Sequence, residues 1–121
     1  MICFLIDDDV DDRDIFQLAL TTFDSSITLV TANNGVEALE KVNSTELFLP
    51  DYIFLDLNMP YMSGKECLIR LRNIERLKNV PILIYSTIHT DYEKLAGSWA
   101  SAFITKPNSI EALVKVLSEV L

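Results

Sequence analysis

Glycine is scarce, with three residues in 121, and none sits in a GxGxxG or GxxxxGK[ST] pattern. The chain therefore lacks the glycine-rich loop that cradles a nucleotide's phosphates. Cysteine is scarcer still: Cys3 and Cys67 lie among apolar residues, outside any CxxC or Cys/His pattern. That excludes a disulfide framework and points to buried thiols in a reducing compartment. A single histidine, His89, excludes a zinc centre built on imidazoles, and nothing near it in sequence would orient it as a catalytic base. Basic residues number ten against eighteen acidic ones, a net charge of -8. Phosphate backbones are held by clustered Lys and Arg, so nucleic acid is not expected as a direct partner. Lys65, Arg70, Arg72, Arg76 and Lys78 do fall in one stretch, which reads as the solvated face of a helix. No apolar run approaches the roughly 20 residues of a membrane span, and the first has no basic residues ahead of it. Neither a membrane segment nor a signal peptide is expected, and the expected location is the cytoplasm.

What the chain does have is apolar residues, half of the total, enough to build the core of a single domain over residues 1–121. Many gather in five short runs: ICFLI (2–6), ITLVT (27–31), YIFLD (52–56), ILIYS (82–86) and AFIT (102–105). Between the runs the spacing is helical. Ile15, Leu18, Ala19 and Phe23 predict one buried face, and Val36, Leu39 and Val42 a second. Leu68, Leu71 and Ile74 predict a third; Ile110, Leu113, Val114, Leu117 and Val120 predict the last. DYEKLAG adds a short fourth helix over 90–97. Strands that read as continuous apolar runs are buried on both faces, and helical crossovers between them imply a parallel sheet. The expected fold is α/β, a doubly wound five-stranded parallel sheet with five helices.

In such sheets the working site lies beyond the carboxyl ends of the strands. The first run ends in Asp7 and Asp8, the third in Asp56, the fourth in Ser86 and Thr87, and the fifth in Lys106. Three carboxylates, a lysine and a hydroxyl form a hard-oxygen set suited to Mg²⁺ or Mn²⁺. Without a cation the carboxylates would raise one another's pKa. An aspartate beside a divalent cation and a lysine can attack a phosphoryl group, and with no ATP-binding loop the donor must come from outside. Six aspartates crowd residues 7–14, however, and Asp9, Asp11, Asp12 and Asp14 read as caps and dipole partners of the helix that follows. An EF-hand does not fit, because Asp12 stands where that loop needs glycine and Leu18 where it needs glutamate.

The motifs LIDDD (5–9), YIFLDLNMPYMSG (52–64), PILIYST (81–87) and FITKP (103–107), with NNGVEAL (33–39) as a weaker match, occur in this order. Along its whole length the chain resembles the receiver domains of two-component response regulators, the CheY-like family. The resemblance implies the flavodoxin-like strand order 2-1-3-4-5. It implies that Asp56 accepts a phosphoryl group from a phosphohistidine on a sensor histidine kinase or histidine phosphotransfer protein. Mg²⁺, or Mn²⁺, would be held by Asp8, Asp56 and the backbone carbonyl of Asn58, with Asp7 acting mainly through a bound water. Ser86 and Lys106 would engage the phosphoryl oxygens, with Thr87 beside them, and Phe103 matches the aromatic switch position. Phosphorylation would alter the face around the fourth helix, fifth strand and fifth helix, which a downstream effector protein reads; a homodimer is left open. Such a protein is a signalling switch and not an enzyme, beyond self-phosphorylation from small donors and self-dephosphorylation.

Departures from the family pattern are Thr87 in place of a smaller residue, Ile88 at a position that can be polar, Trp99 near a usual glycine and Asn108 after the KP pair. The apolar Ile88 is expected to slow hydrolysis of the phosphoryl group. Three other functions compete. A haloacid-dehalogenase-type phosphatase needs a second acid two residues after its nucleophile, where Asn58 stands. A flavodoxin-like FMN carrier needs a first loop that is not acidic. A receiver-like module that binds partners without phosphorylation would not need the full set of acceptor, metal and lysine positions.

Overall fold

Each apolar run becomes a strand. The computed structural model describes residues 1–45, 48–87 and 100–121. In it β1 (Ile2–Ile6), β2 (Thr28–Ala32), β3 (Tyr52–Leu55), β4 (Ile82–Ser86) and β5 (Ala102–Thr105) form one parallel sheet in the order β2-β1-β3-β4-β5. Four α-helices lie among the described residues: α1 (Val10–Phe23), α2 (Gly35–Ser44), α3 (Gly64–Arg72) and α4 (Ile110–Val120), with a 3₁₀ turn over Glu75–Leu77. The expected helix over 90–97 lies outside the described residues, as do Ile88, His89 and Trp99.

Strand alternation divides the core in two. Cys3, Leu5, Phe54, Leu83 and Tyr85 face α1 and α4, where Phe16, Ala19, Leu20, Leu113 and Leu117 complete the layer. Phe4, Ile6, Ile53, Leu55, Ile82 and Ile84 face α2 and α3, packing on Ala38, Val42, Cys67, Leu68 and Leu71. Each large side chain so buried stabilises the fold by about 1.5–3 kcal/mol. The central strands are covered on both faces, as continuous apolar runs require, whereas β2 and β5, at the edges, are only partly covered. Both cysteines are buried free thiols.

Two helical faces differ from expectation. On α1, Ile15 and Leu18 are 41% and 52% exposed, while Phe16, Ala19 and Leu20 are buried. Six apolar residues within 15–23 admit two overlapping stripes, and the Phe16 ring decides between them by packing edge-on against Phe54 and Tyr85. On α2, Val36 is 42% exposed and Gly35, Ala38 and Val42 turn inward. There the small residues let α2 approach α3: a Cβ on Gly35 would sit 3.0 Å from Met62 Sδ and 3.2 Å from Cys67 Cβ. Helix starts follow capping rules. Asp9, Asn34, Ser63 and Ser109 each accept backbone N–H bonds from the first turn they precede, at about 1 kcal/mol apiece.

Candidate functional site

The parallel ladder runs one residue past the strands, and those residues carry the site. The Asp7 N–H donates to the Ala32 carbonyl (3.1 Å), the Asp56 N–H to that of Ile6 (3.0 Å) and the Lys106 N–H to that of Ser86 (3.0 Å). Ile6 pairs with Leu55 and Ser86 with Thr105, so the residues that follow emerge side by side at one edge.

One carboxylate oxygen from each of Asp7, Asp8 and Asp56 lies within 4.8 Å of the others. Asp7 is wholly buried and Asp56 nearly so, while Asp8 is exposed. The Asp9 N–H donates to Asp7 Oδ1 (3.0 Å), and the Arg13 guanidinium donates to the Asp7 carbonyl (2.8 Å), tying the strand end to α1. The Asn58 N–H donates to Asp56 Oδ1 (3.2 Å).

Lys106 Nζ reaches three carboxylates: Asp7 Oδ2 at 2.7 Å, Asp12 Oδ2 at 2.8 Å and Asp56 Oδ2 at 3.3 Å. Its side chain is only 9% exposed, and the ammonium lies 5.5 Å from the centre of the Tyr85 ring, within cation–π range. Burial opposes its charge, but the bonds to Asp12 and Asp7 and the charges of Asp7 and Asp56 outweigh burial and hold its pKa above the ordinary lysine value. For Asp7 the balance is reversed. Burial pushes its carboxyl up to about 6 with the Asp56 charge adding to it, while the Lys106 ammonium and the Asp9 N–H pull it down.

The loop after β3 is shaped to hold Asp56. A Cβ on Gly64 would lie 2.4 Å from Leu57 Cα and 2.7 Å from the Asp56 carbonyl oxygen, so only glycine lets α3 start against this backbone. The Gly64 N–H donates to the Leu57 carbonyl (3.1 Å). Within the same loop the Met62 N–H donates to the Pro60 carbonyl (2.8 Å) across Tyr61, a tight turn that puts Tyr61 at φ 69°.

Of the residues singled out from sequence, Asp8, Asp56, Asn58, Thr87 and Lys106 line one open cavity of about 590 Å³, and Asp7, buried beneath, touches it only through its bond to Lys106 and its place in the carboxylate cluster. Ser86 is buried at the end of β4 and Thr87 is exposed. Phe103 lies apart from the cavity, half-buried on β5 and packed against the α2/α3 core. Asp12, which sequence reasoning assigned to the helix N-terminus alone, reaches Lys106 and lines the cavity. The available signal was its position one helical turn beyond Asp8 and Asp9. Chemically, three carboxylates on one ammonium, with Asp8 beside two of them, leave net negative charge, and the hard-oxygen set of Asp7, Asp8 and Asp56 fits a divalent cation such as Mg²⁺.

No helix among the described residues is long and apolar enough to cross a membrane. The family of response regulator receiver domains matches residues 3–118. The chain is 34% identical over 118 residues to the sensor histidine kinase CheAY of Helicobacter pylori, covering 96% of this chain and 14% of that protein. It thus spans a small part of that relative. Among solved structures it resembles the chemotaxis response regulator CheY4 of Vibrio cholerae, at 30% identity and a TM-score of 0.83, covering 99% of this chain and 98% of the other. The phosphorylated cyanobacterial phytochrome response regulator RcpA aligns at 26% identity and a TM-score of 0.87, covering 98% and 89%. A match over nearly the whole length, joined to the same fold at 30% identity, makes this chain a member of the response regulator receiver domain family of two-component signalling.

Proposed function

We propose that Asp56 accepts a phosphoryl group from a phosphohistidine on a sensor histidine kinase or a histidine phosphotransfer protein, with residues 1–121 acting as one receiver domain. One observation carries this reading: the Asp56 carboxylate sits within 3.3 Å of a buried ammonium and within 4.8 Å of two further carboxylates. An oxygen of Asp56 forms a bond to phosphorus as the P–N bond to the donor imidazole breaks. The electron pair of that bond stays on the imidazole nitrogen, which takes up a proton from solvent. The Asn58 N–H holds Asp56 Oδ1 and so orients the carboxylate for attack. Charge that spreads over the transferring oxygens meets Lys106 and the hydroxyl of Ser86, with Thr87 at the rim. Asp7, Asp8, Asp56 and the carbonyl of Asn58 would hold Mg²⁺, or Mn²⁺. A bound ion supplies charge neutralisation for those same oxygens.

Two features support a switch over an enzyme. Asn58 occupies the position from which a phosphatase of the aspartyl-phosphate type would supply its acid, and RcpA, of the same fold, is known in a phosphorylated state. On this reading Lys106 and Phe103, both on or next to β5, pass the change at Asp56 to the outer face of β5 and α4, where an effector protein binds. Incubation with Mg²⁺ and acetyl phosphate, followed by intact mass, tests the proposal: a gain of about 80 Da is expected, absent in Asp56→Asn and absent with EDTA. No gain, or one that survives Asp56→Asn, refutes it and leaves a partner-binding module that works without phosphorylation.

A further inference from the structure

We propose that Asp12 is a positioning residue for Lys106: from the first turn of α1 it holds the ammonium on Asp56 when a cation engages Asp7. This rests on the reading of Asp56 as phosphoacceptor and of Asp7 as a metal ligand. A lysine ammonium has three N–H donors and no acceptor. Two of them are taken by the short bonds to Asp7 (2.7 Å) and Asp12 (2.8 Å), and the third is left for the longer contact to Asp56 (3.3 Å). The three acceptors come from the end of β1, from α1 and from the end of β3. Fixing two of the tetrahedral donors fixes the direction of the third.

Asp7 cannot do this alone once a divalent ion is present. A carboxylate that shares its charge with a 2+ ion is a weaker hydrogen-bond acceptor, and the ion repels the ammonium. Asp12 escapes that competition, because the carboxylates grouped within metal-binding distance among the described residues are Asp7, Asp8 and Asp56, without it. Nor is its side chain committed to the helix. Asp9 Oδ1 caps α1 by accepting from the N–H groups of Asp11 and Asp12, so the Asp12 carboxylate is spare. An acid serving only the helix dipole could point into water. This one, 34% exposed, reaches across to a lysine 94 residues away. Asp12 therefore stays on Lys106 whether or not Asp7 is drawn off.

Side-chain ¹⁵N spectra of Lys106 test this, since an ammonium held by ion pairs exchanges its protons slowly. In the wild type, exchange is expected to stay slow when Mg²⁺ is added. In Asp12→Ala it is expected to stay slow without Mg²⁺, through Asp7, and to quicken roughly tenfold with it, the scale of one charge-assisted hydrogen bond. Asp12→Glu should restore the slow exchange. Phosphorylation of Asp12→Ala from acetyl phosphate at saturating donor and Mg²⁺ should slow by about tenfold, a loss in maximal rate and not in donor affinity. An Asp12→Ala protein with a wild-type backbone spectrum, whose Lys106 remains as protected with Mg²⁺ as the wild type's, overturns the inference. Asp7→Asn with Asp12→Ala supplies an arm that needs no metal: Lys106 should exchange fast in the pair and slowly in Asp7→Asn alone, and equal rates overturn the inference too. If Mg²⁺ leaves the wild-type backbone spectrum unchanged around Asp7, Asp8 and Asp56 and acetyl phosphate gives no mass gain, the underlying reading is refuted instead, and the metal-free pair then decides whether Asp12 holds Lys106.

Discussion

Neutralising Asp7 probes the electrostatics of the site through stability alone. Its carboxylate has no exposed surface, and burial lifts its pKa from an ordinary 3.8 to about 6, against the pull of Lys106. A group whose folded pKa exceeds its unfolded value stabilises the fold while it is protonated. That contribution is complete below about pH 4 and is lost as pH rises through about 6. The gap is near two units, and at about 1.4 kcal/mol per unit the ionised carboxylate costs the metal-free fold on the order of 3 kcal/mol at neutral pH. Asparagine imitates the protonated acid, with one carbonyl oxygen and no charge. Asp7→Asn should therefore match the wild type near pH 4 and exceed its stability by about 3 kcal/mol at pH 7 in EDTA, roughly 10 °C in Tm. Urea unfolding of both proteins across that range measures the difference, and the difference between them cancels the titration of groups that do not interact with Asp7. On the proposed role of Asp7 in holding the ion, saturating Mg²⁺ should reverse the order, because the wild type gains the free energy of binding and the variant gains less. Mg²⁺ affinity of the wild type should also weaken as pH falls below about 6, where Asp7 takes up its proton. A difference that stays flat from pH 4 to 7, or an Asp7→Asn protein that is the less stable at pH 7 in EDTA, would refute the assignment of a buried charge whose desolvation outweighs its bonds to Lys106 and Asp9.

Gly64→Ala should cost about 2–3 kcal/mol in urea unfolding, because its Cβ would meet Leu57 Cα at 2.4 Å, and should slow phosphorylation by displacing the backbone that carries Asp56. Tyr61→Gly should raise stability by about 0.5–1 kcal/mol, since a side chain 88% exposed loses little packing while the strain at φ 69° is relieved. Asp9→Ala should lower stability by about 1 kcal/mol with loss of the α1 cap, read by thermal melting.

Much of the site is legible before any coordinate is known. Asp7, Asp56 and Lys106 each follow an apolar run, and a parallel ladder brings such positions to one edge whatever the helices do. Ser86 and Thr87 are placed by the same logic, though one proves buried and the other exposed. Asp12 is illegible for a different reason. Its sequence neighbours explain it fully as a first-turn acid, and nothing local announces a lysine 94 residues further along the chain. Gly64 belongs to the same class, because the demand for a missing Cβ comes from the Leu57 backbone it lies against and not from its own turn.

By itself the sequence determined the five strands, the parallel sheet and the edge at which Asp7, Asp56 and Lys106 emerge. These rest on continuous apolar runs and on the 3.6-residue spacing between them, each read independently along the chain, so local errors do not accumulate. Only the tertiary structure decided that Phe16 and not Ile15 enters the core, that α2 turns Gly35 and not Val36 toward α3, and that Lys106 binds Asp12 as closely as Asp7. In each case locally similar choices are separated by contacts between residues distant in sequence. Close packing and hydrogen bonding change over fractions of an ångström, a scale that only the assembled fold defines.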